Sequence, residues 1–296
     1  MNNRDLVGLS VVAVHAHPDD EAIWTGGALA QLARRGADIT VVTCTLGEQG
    51  EVIGKPFSHL VADQADQLGG FRIAELEKSL ATLGVRGEFL GGAGYWRDSG
   101  MKGDPANEHP RAFIHSGGKA VAQLIEIFQR LSPQLVITYG PDGGYGHPDH
   151  IRAHHIVHEA AQVVTIPRIL WAVTSREHLQ HGLQQFTTPV GWKTAREAEI
   201  ACVDEVDIKV ELSELDVAAK VAAMRAHPTQ LWIADGSISK VNPHSVVASI
   251  SNPSEVPYVF ALSNLIAQPL LRQEFYQYGG GEDPTAQPRE IAAGLL

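Results

Sequence analysis

The sequence predicts an α/β fold in which helices cover both faces of a parallel sheet and a smaller α+β region follows. Apolar runs of strand length alternate with longer helix-like segments through the first 175 of the 296 residues, which is typical of such sheets. A hydrophobic content of 44% is enough for a substantial core, and the length suits one large domain with additions or two modest domains.

Five strands and four helices are predicted in this first part. The strands are expected at residues 9–14, 38–45, 88–90, 134–139 and 168–173, where short apolar runs occur. The helices are expected at residues 26–35, 62–83, 117–131 and 149–164. Gly36, Gly84 and Pro133 follow three of these helices, and such residues commonly end a helix before the next strand.

After residue 175 the alternation weakens. Residues 1–175 are therefore expected to form the main domain, and residues 176–296 a smaller region that completes its ligand pocket. In that region the pattern predicts strands at 207–212 and 257–262 and a helix at 214–227. The run Gly279-Gly280-Gly281 is expected to be a mobile tail.

Charge and cysteine content argue against several classes of function. The chain has 34 acidic and 23 basic residues and a formal net charge of -11, which disfavours nucleic acid or an anionic membrane as a partner. Small neutral or cationic ligands fit better. Cys44 and Cys202 are too few for a disulfide framework or a cysteine-rich zinc site. The apolar segment 9–14 is too short for a signal peptide or a membrane span, so a cytoplasmic protein is expected. The oligomeric state stays open.

Two polar clusters follow predicted strands. Residues 15–21 read His-Ala-His-Pro-Asp-Asp-Glu after the first strand, and residues 145–150 read Tyr-Gly-His-Pro-Asp-His after the fourth. One His-Pro-Asp alone could be a polar turn, but two at equivalent places favour a ligand site. If the strands wind one way and then reverse, the first and fourth are neighbours, and ligands bind beyond their carboxyl ends. The clusters are thus expected to meet in one crevice, rimmed by the long loops 46–61 and 91–118.

The residue types in these clusters suit a metal-dependent hydrolase. A catalytic zinc takes three protein ligands and leaves a position for water. His17 and Asp20, on a turn that enters a helix, could supply two ligands, and His150 could supply the third. Asp19 would then lie beside the metal as a base for the attacking water. His147 would face the same water from the other side, where an imidazolium could stabilise an oxyanion or protonate a leaving amine.

Simpler roles stay open for some of these side chains. Asp19 and Asp20 could cap the helix that follows them. Glu21 could complement the dipole of that helix, or it could support the ligands from behind. His15 is expected to be a buried histidine without a catalytic role.

The motifs resemble those of a known family. The segment Ala16-His17-Pro18-Asp19-Asp20-Glu21, paired with His147-Pro148-Asp149-His150, is similar to the LmbE-like (PIG-L) metal-dependent deacetylases of N-acetylglucosamine conjugates. Residues 43–54, 91–101 and 143–147 resemble most closely the branch that deacetylates an N-acetylglucosaminyl-inositol in mycothiol biosynthesis. The likeness runs from about residue 11 to residue 151, and residues 220–230 also resemble the family.

The resemblance implies a Rossmann-like fold, a small amino-sugar conjugate as substrate, and one zinc or ferrous ion per chain. By this matching His17, Asp20 and His150 are the metal ligands and Asp19 is the general base. Tyr145 and His147 correspond to residues that polarise the amide carbonyl and stabilise the oxyanion, and Arg72 and Asp98 to sugar contacts. For Arg72, in a predicted helix, a solvated charge is the alternative. The implied reaction releases acetate and glucosaminyl-inositol.

Four other functions are alternatives to this deacetylase reaction. An amidase of mycothiol S-conjugates would share the metal centre, although residues 44–48 look more like the deacetylase, and a deacetylase of another N-acetylglucosamine conjugate is a further alternative. A nucleotide-binding module is disfavoured because no Gly-x-Gly-x-x-Gly follows the first strand. A non-catalytic metal-binding protein would have no need of the spare carboxylate of Asp19.

Overall fold

The described part of this computed structural model, residues 4–196, 198–281 and 290–296, is built from twelve strands and seven α-helices. The strands are β1 (Ser10–His15), β2 (Asp38–Thr43), β3 (Arg86–Phe89), β4 (Leu135–Tyr139), β5 (Arg168–Val173), β6 (Phe186–Thr187), β7 (Ile208–Glu211), β8 (Trp232–Ile233), β9 (Ser249–Ile250), β10 (Tyr258–Ala261), β11 (Gln268–Leu270) and β12 (Gln273–Gly280). The helices are α1 (Asp20–Trp24), α2 (Gly26–Arg34), α3 (Leu68–Leu83), α4 (Gly117–Leu131), α5 (Pro148–Ala160), α6 (Arg176–Leu183) and α7 (Glu214–Arg225).

Seven strands form the central sheet, in the order β3-β2-β1-β4-β5-β12-β7. Strands β1 to β5 run parallel, and at one edge β12 pairs antiparallel with β5 and β7 pairs antiparallel with β12. The winding reverses between β1 and β4, which pair with each other as the sequence predicted. The carboxyl ends of these two strands therefore lie side by side, and the polar segment that follows each of them is brought to the same edge.

Strand β1 shows why the sheet is covered on both faces. Its side chains alternate between two cores, with Val11 and Ala13 in one and Val12 and Val14 in the other. The first core includes residues of α2, α3 and α7, and the second includes residues of α4 and α5. A strand buried on both faces needs apolar residues at nearly every position, which explains the continuous apolar run.

Two local predictions were wrong. The predicted helix 62–83 begins at Leu68, because Asp66 has φ +51° and a residue in that conformation cannot lie inside a right-handed helix. The predicted mobile tail is ordered at Gly279 and Gly280, which extend β12 beside β5. Glycine is required there by close packing, because a Cβ at Gly279 would collide with the indole of Trp171.

Residues after 175 contribute to the central sheet as well as to smaller sheets. Strands β7 and β12 belong to the central sheet, whereas β11-β10-β8 and β6-β9 form sheets of three and two strands. The proposed division at residue 175 stays a prediction. Within the described residues, no helix has the length and apolar character needed to span a membrane. The cytoplasmic location also stays a prediction.

Candidate active site

A cavity of about 620 Å³ opens beyond the carboxyl ends of β1 and β4. Its lining includes the side chains of Asp19, Asp98, Tyr145 and His147 from the predicted site. His17, Asp20 and Arg72 also line it, whereas His150 is fully buried. Both predicted rim loops contribute, for example through Glu51 and Met101. The structure therefore brings together all eight side chains named from the sequence, at the edge where the two motifs were expected to meet.

Three donor atoms from the two motifs form a nearly equilateral triangle. The distance is 3.4 Å from His17 Nδ1 to Asp20 Oδ2, 3.4 Å from His150 Nε2 to the same oxygen, and 3.3 Å between the two nitrogens. Tetrahedral zinc with bonds of about 2.0–2.1 Å places its ligands about 3.3–3.4 Å apart. The three atoms thus fit three corners of such a site, and the fourth corner is left for a ligand from the cavity.

The carboxylate of Asp149 sets the orientation of the His17 ring. Oδ2 of Asp149 lies 3.3 Å from His17 Nε2, and Oδ1 of Asp98 lies 3.6 Å from the same nitrogen. Because a carboxylate accepts, Nε2 carries a proton, and Nδ1 is the ring nitrogen that faces the triangle. Burial lowers the pKa of His17, but the surrounding carboxylates raise it well above its usual value. This environment favours a cation at the triangle.

The second imidazole is oriented by a backbone carbonyl. His150 Nδ1 donates to the carbonyl oxygen of Gly143 at 3.1 Å, which leaves the lone pair of Nε2 for the triangle. Gly143 has φ +67°, and a Cβ at this position would lie 2.8 Å from the Cβ of His150. Only glycine allows the loop to approach the histidine so closely.

Tyr139 is a functional residue that the sequence analysis missed. Its hydroxyl donates to Asp20 Oδ2 at 2.7 Å and accepts from the backbone N–H of Ala16 at 2.8 Å. Its ring stacks on His150 with centroids 4.1 Å apart. One buried tyrosine therefore positions two of the three donors. As the last residue of an apolar strand, it carries no local signal that separates it from an ordinary core tyrosine.

Asp19 has an unusual backbone conformation, with φ +111° and ψ -31° at the start of α1. Such a conformation costs about 1–3 kcal/mol in a residue other than glycine, and residues held in this way cluster at functional sites. Asp19 Oδ2 accepts from Arg72 Nη2 at 2.9 Å. Burial raises the pKa of the Asp19 carboxyl, Arg72 lowers it and Asp20 raises it again, which leaves this pKa at about 7.

Arg72 is a buried residue of α3 and not the solvated charge that was the alternative. Besides Asp19, its guanidinium donates to the carbonyl oxygen of Gly47 at 2.8 Å and to the carbonyl oxygen of Pro18. A planar guanidinium holds several acceptors in fixed directions. Arg72 therefore joins the loop after β2 to the motif that contains Asp19.

The contacts of His147 favour a neutral ring in this arrangement over the predicted imidazolium. Its Nδ1 accepts the backbone N–H of Asp149 at 3.2 Å and caps α5, which leaves the proton of the neutral ring on Nε2. Burial and the rings of His17 and His150 lower the pKa of His147 to about 3. A metal cation nearby would lower this pKa further. The ring can still donate a hydrogen bond from Nε2.

The two remaining predicted residues lie at the cavity wall. Tyr145 is half-exposed, and its ring centroid lies 5.9 Å from that of His147. Asp98 is buried and accepts from the backbone N–H groups of Gly100 at 2.8 Å and Gln49 at 3.1 Å. Burial raises the pKa of Asp98, but the neighbouring His17 lowers this pKa more, so Asp98 stays ionised. Asp98 therefore joins both rim loops.

His17 also belongs to two other groups of possible ligands. One consists of His17, His147 and His150, and the other of His17, Asp98 and Asp149; within each group the ligand atoms lie within 4.8 Å of one another. In the first group, His147 Nδ1 is already engaged by a backbone N–H. In the second, both carboxylates face the protonated Nε2 of His17. A metal held by His17, Asp20 and His150 would leave in place both the hydrogen bond to His147 Nδ1 and the carboxylate contacts of His17 Nε2.

Comparison with known proteins identifies the family. Residues 12–161 match the PIG-L model, which is described as GlcNAc-PI de-N-acetylase. The chain belongs to the PIG-L family. A relative from Corynebacterium diphtheriae is 67% identical over 288 residues, which cover 95% of this chain and 98% of the relative. A relative from Corynebacterium glutamicum strain R is 64% identical over 297 residues, which cover 100% and 98%. Both relatives are named 1D-myo-inositol 2-acetamido-2-deoxy-alpha-D-glucopyranoside deacetylase.

A solved structure also resembles this PIG-L chain. It is GalB, the 4-carboxy-2-hydroxymuconate hydratase from Pseudomonas putida KT2440, with a TM-score of 0.51 and 19% sequence identity. The match covers 74% of this chain and 78% of the hydratase. At this identity the likeness supports the PIG-L fold and nothing about the reaction.

Proposed function

We propose that the chain is a zinc-dependent deacetylase that hydrolyses the acetamide of 1-D-myo-inositol 2-acetamido-2-deoxy-glucopyranoside to glucosaminyl-inositol and acetate, a step of mycothiol biosynthesis. The triangle formed by His17, Asp20 and His150, which opens on the same cavity as Asp19, carries this proposal. Relatives that are 62–67% identical over nearly the full chain bear the name of this activity. The alternative is the related amidase reaction on mycothiol S-conjugates.

His17, Asp20 and His150 would hold the metal. Two imidazoles and one carboxylate suit zinc, and ferrous iron accepts the same donors. A divalent ion at this position would supply Lewis-acid polarisation of the amide carbonyl and acidify the attacking water. Asp149, Gly143 and Tyr139 keep the donor atoms pointed at one position, so that little reorganisation is needed when the ion binds.

Asp19 is the general base in this proposal. It lies next to a ligand in the chain, lines the cavity and is not one of the three donors of the triangle. Its carboxylate takes a proton from the water whose oxygen attacks the carbonyl carbon, and Arg72 favours the ionised form that this step needs. When the C–N bond breaks, the proton on Asp19 is available for the leaving amine. This is consistent with a neutral His147, which has no surplus proton to give.

His147 and Tyr145 would stabilise the charge that develops on the amide oxygen. The neutral His147 ring can donate from Nε2, and the half-exposed Tyr145 can donate its hydroxyl from the mouth of the cavity. Donors that are already in place where negative charge develops lower the barrier most effectively. Asp98 and Arg72 stay the proposed contacts to sugar or inositol hydroxyls, since both line the cavity.

A side-by-side assay tests the substrate. N-acetylglucosaminyl-inositol is expected to have a higher kcat/KM than free N-acetylglucosamine, because contacts to the inositol orient the acetamide. Mycothiol S-conjugates are expected to be poorer substrates. When a cavity carboxylate such as Asp19 is substituted, the exposed Asp63→Asn variant is the matched control, and its kcat/KM should equal that of the wild type. Preference for an S-conjugate would contradict the proposal and favour the amidase, and turnover of none of the three would contradict both.

A further inference from the structure

The segment His227-Pro228-Thr229-Gln230 has no role in the reaction described so far, yet it joins three parts of the site. His227 Nε2 lies 2.7 Å from Glu21 Oε1 on α1. The N–H and hydroxyl of Thr229 donate to the Glu75 carboxylate on α3 at 3.0 and 2.6 Å. Gln230 Nε2 donates to the carbonyl oxygen of Glu51 in a rim loop at 2.8 Å. The segment therefore couples the chain that follows α7 to the elements around the cavity.

Glu21 connects this segment directly to Asp19. Its Oε2 accepts the backbone N–H of Asp19 at 2.9 Å. Its Oε1 accepts from His227 Nε2 and also from the hydroxyl of Ser79 at 2.5 Å. Glu21, His227 and Ser79 are fully buried, so no solvent molecule replaces these bonds. Both oxygens of Glu21 are therefore engaged, one by the backbone of Asp19 and one by the groups that fix the carboxylate.

The hydrogen bond from the backbone N–H of Asp19 to Glu21 Oε2 acts on the strained backbone of Asp19. With φ +111°, the backbone of Asp19 is held in a conformation that a residue other than glycine adopts only when its surroundings impose it. The N–H of Asp19 can point to Glu21 only in a narrow range of φ, so the carboxylate of Glu21 selects this conformation. A buried ion pair contributes little stability compared with apolar packing, so stability alone does not account for the contact between Glu21 and His227.

We propose that His227 is a positioning residue for the reaction, which acts through Glu21 to hold Asp19 where it can take a proton from water. The proposal rests on the proposed function, since it takes Asp19 to be the general base. The donor triangle is held independently, by Tyr139, Asp149 and Gly143. Loss of His227 should therefore affect the chemical step and leave metal binding unchanged.

Two substitutions of His227 distinguish a loss of positioning from a general loss of folding or metal binding. His227→Leu removes the donor to Glu21 and is expected to lower kcat about tenfold or more with little change in KM, because misplacement of a catalytic group costs rate and not binding. Metal content by elemental analysis should stay at the wild-type value. His227→Gln can place an amide N–H near the position of Nε2 and should restore kcat to within about threefold of the wild type.

The decisive readout is a double-mutant cycle with Asp19→Asn on N-acetylglucosaminyl-inositol. If His227 acts through Asp19, then His227→Leu should cause no further loss of kcat once the base is gone, because the two effects are not additive. An equal fold-loss in both backgrounds would overturn the proposal. Full activity of Asp19→Asn alone would instead overturn the proposed function, so the two failures are distinguishable.

A matched control comes from the same segment. Thr229→Val removes the hydroxyl hydrogen bond to the buried Glu75 and leaves the bonds to Glu21 in place, so kcat should stay within about twofold of the wild type even if thermal stability falls. A loss of kcat as large as that of His227→Leu would overturn the proposal. If His227→Leu does not fold, the pair Glu21→Met with His227→Leu replaces the buried ions by apolar side chains and tests the same loss of the acceptor for Asp19.

Discussion

The carboxyl of Asp19 is subject to opposing effects, and their balance determines the pH at which it can act as a base. Burial raises its pKa, Arg72 lowers it and Asp20 raises it again, and the resulting pKa is about 7. A metal cation at the triangle would lower this value. Since the base must be ionised, kcat/KM should rise with pH through a pKa at or below about 7 and level off above it.

Asp19→Asn should remove this acid limb and lower kcat about 10²–10⁴-fold, because the amide cannot accept the proton. Metal content should be unchanged, since Asp19 is not among the three donors. A pH profile together with elemental analysis checks both expectations. Wild-type turnover in this variant would contradict the assignment of the base.

Arg72→Met should shift the acid limb to higher pH. The guanidinium lowers the pKa of Asp19, so its removal leaves burial and the charge of Asp20 to raise that pKa. Activity at neutral pH should fall for the same reason. Arg72→Lys retains a cation and should shift the limb less. An acid limb at the wild-type position in Arg72→Met would show that Arg72 does not act on Asp19.

His147→Ala should lower kcat about 10²–10³-fold, which is the usual effect of removing one donor to a developing oxyanion. Because the pKa of His147 is about 3, the ring is neutral throughout the working range and no alkaline limb should depend on it. The profile above pH 7 should therefore keep its shape. Loss of an alkaline limb in this variant would show that the imidazolium form is the active one.

The sequence predicted the candidate ligands and base because they lie within short motifs, such as the segment from His17 to Asp20. It did not predict Tyr139 or the link between His227 and Glu21. Tyr139 contacts Asp20 across 119 residues, and His227 contacts Glu21 across 206 residues. Such partners depend on the packing of strands and helices, and no local pattern distinguishes them from ordinary buried residues.

Among the elements, α7 begins with an explicit capping signal. Ser213 and Asp216 form a capping box at its first turn, and Arg34 of α2 binds the same aspartate. Burial raises the pKa of Asp216, but hydrogen bonds from Ser213 and Arg34 lower it below the usual value of 3.8. Because the pKa is lower in the folded chain than in the unfolded one, these bonds stabilise the fold above pH 3.8.

Asp216→Asn should lower the free energy of unfolding at pH 7 by about 1 kcal/mol or more, since a charged cap and ion-pair partner becomes neutral. The difference from the wild type should shrink as pH falls through the folded pKa of Asp216. Urea denaturation at pH 7 and at acid pH measures it, with the exposed Asp63→Asn as control. A difference that does not depend on pH would contradict this explanation.

Element types followed from the sequence more reliably than their boundaries. The alternation of strands and helices gave β1 to β5 and α2 to α5, because buried parallel strands carry continuous apolar runs. Strand β12 was not predicted, and the two glycines at its end, Gly279 and Gly280, were expected to belong to a mobile tail. Its order comes from β5 and β7, whose residues pair with it over long distances in sequence.

At the scale of the whole molecule, the reversal of winding between β1 and β4 brings the two motifs together. This convergence was predictable, because it follows from general rules of parallel sheets. The outer wall of the cavity was not predictable from the sequence. Residues such as Phe260, Leu270 and Phe275 line it, and their position depends on how the chain after residue 175 packs against the first part.

His17, Asp20 and His150 are the proposed ligands of one divalent metal. Anomalous diffraction at the zinc absorption edge, from a crystal of the metal-loaded protein, tests this assignment most directly. We expect one peak about 2.0–2.2 Å from His17 Nδ1, Asp20 Oδ2 and His150 Nε2. A peak coordinated by His147 together with His17 and His150, or by His17 with Asp98 and Asp149, would contradict it.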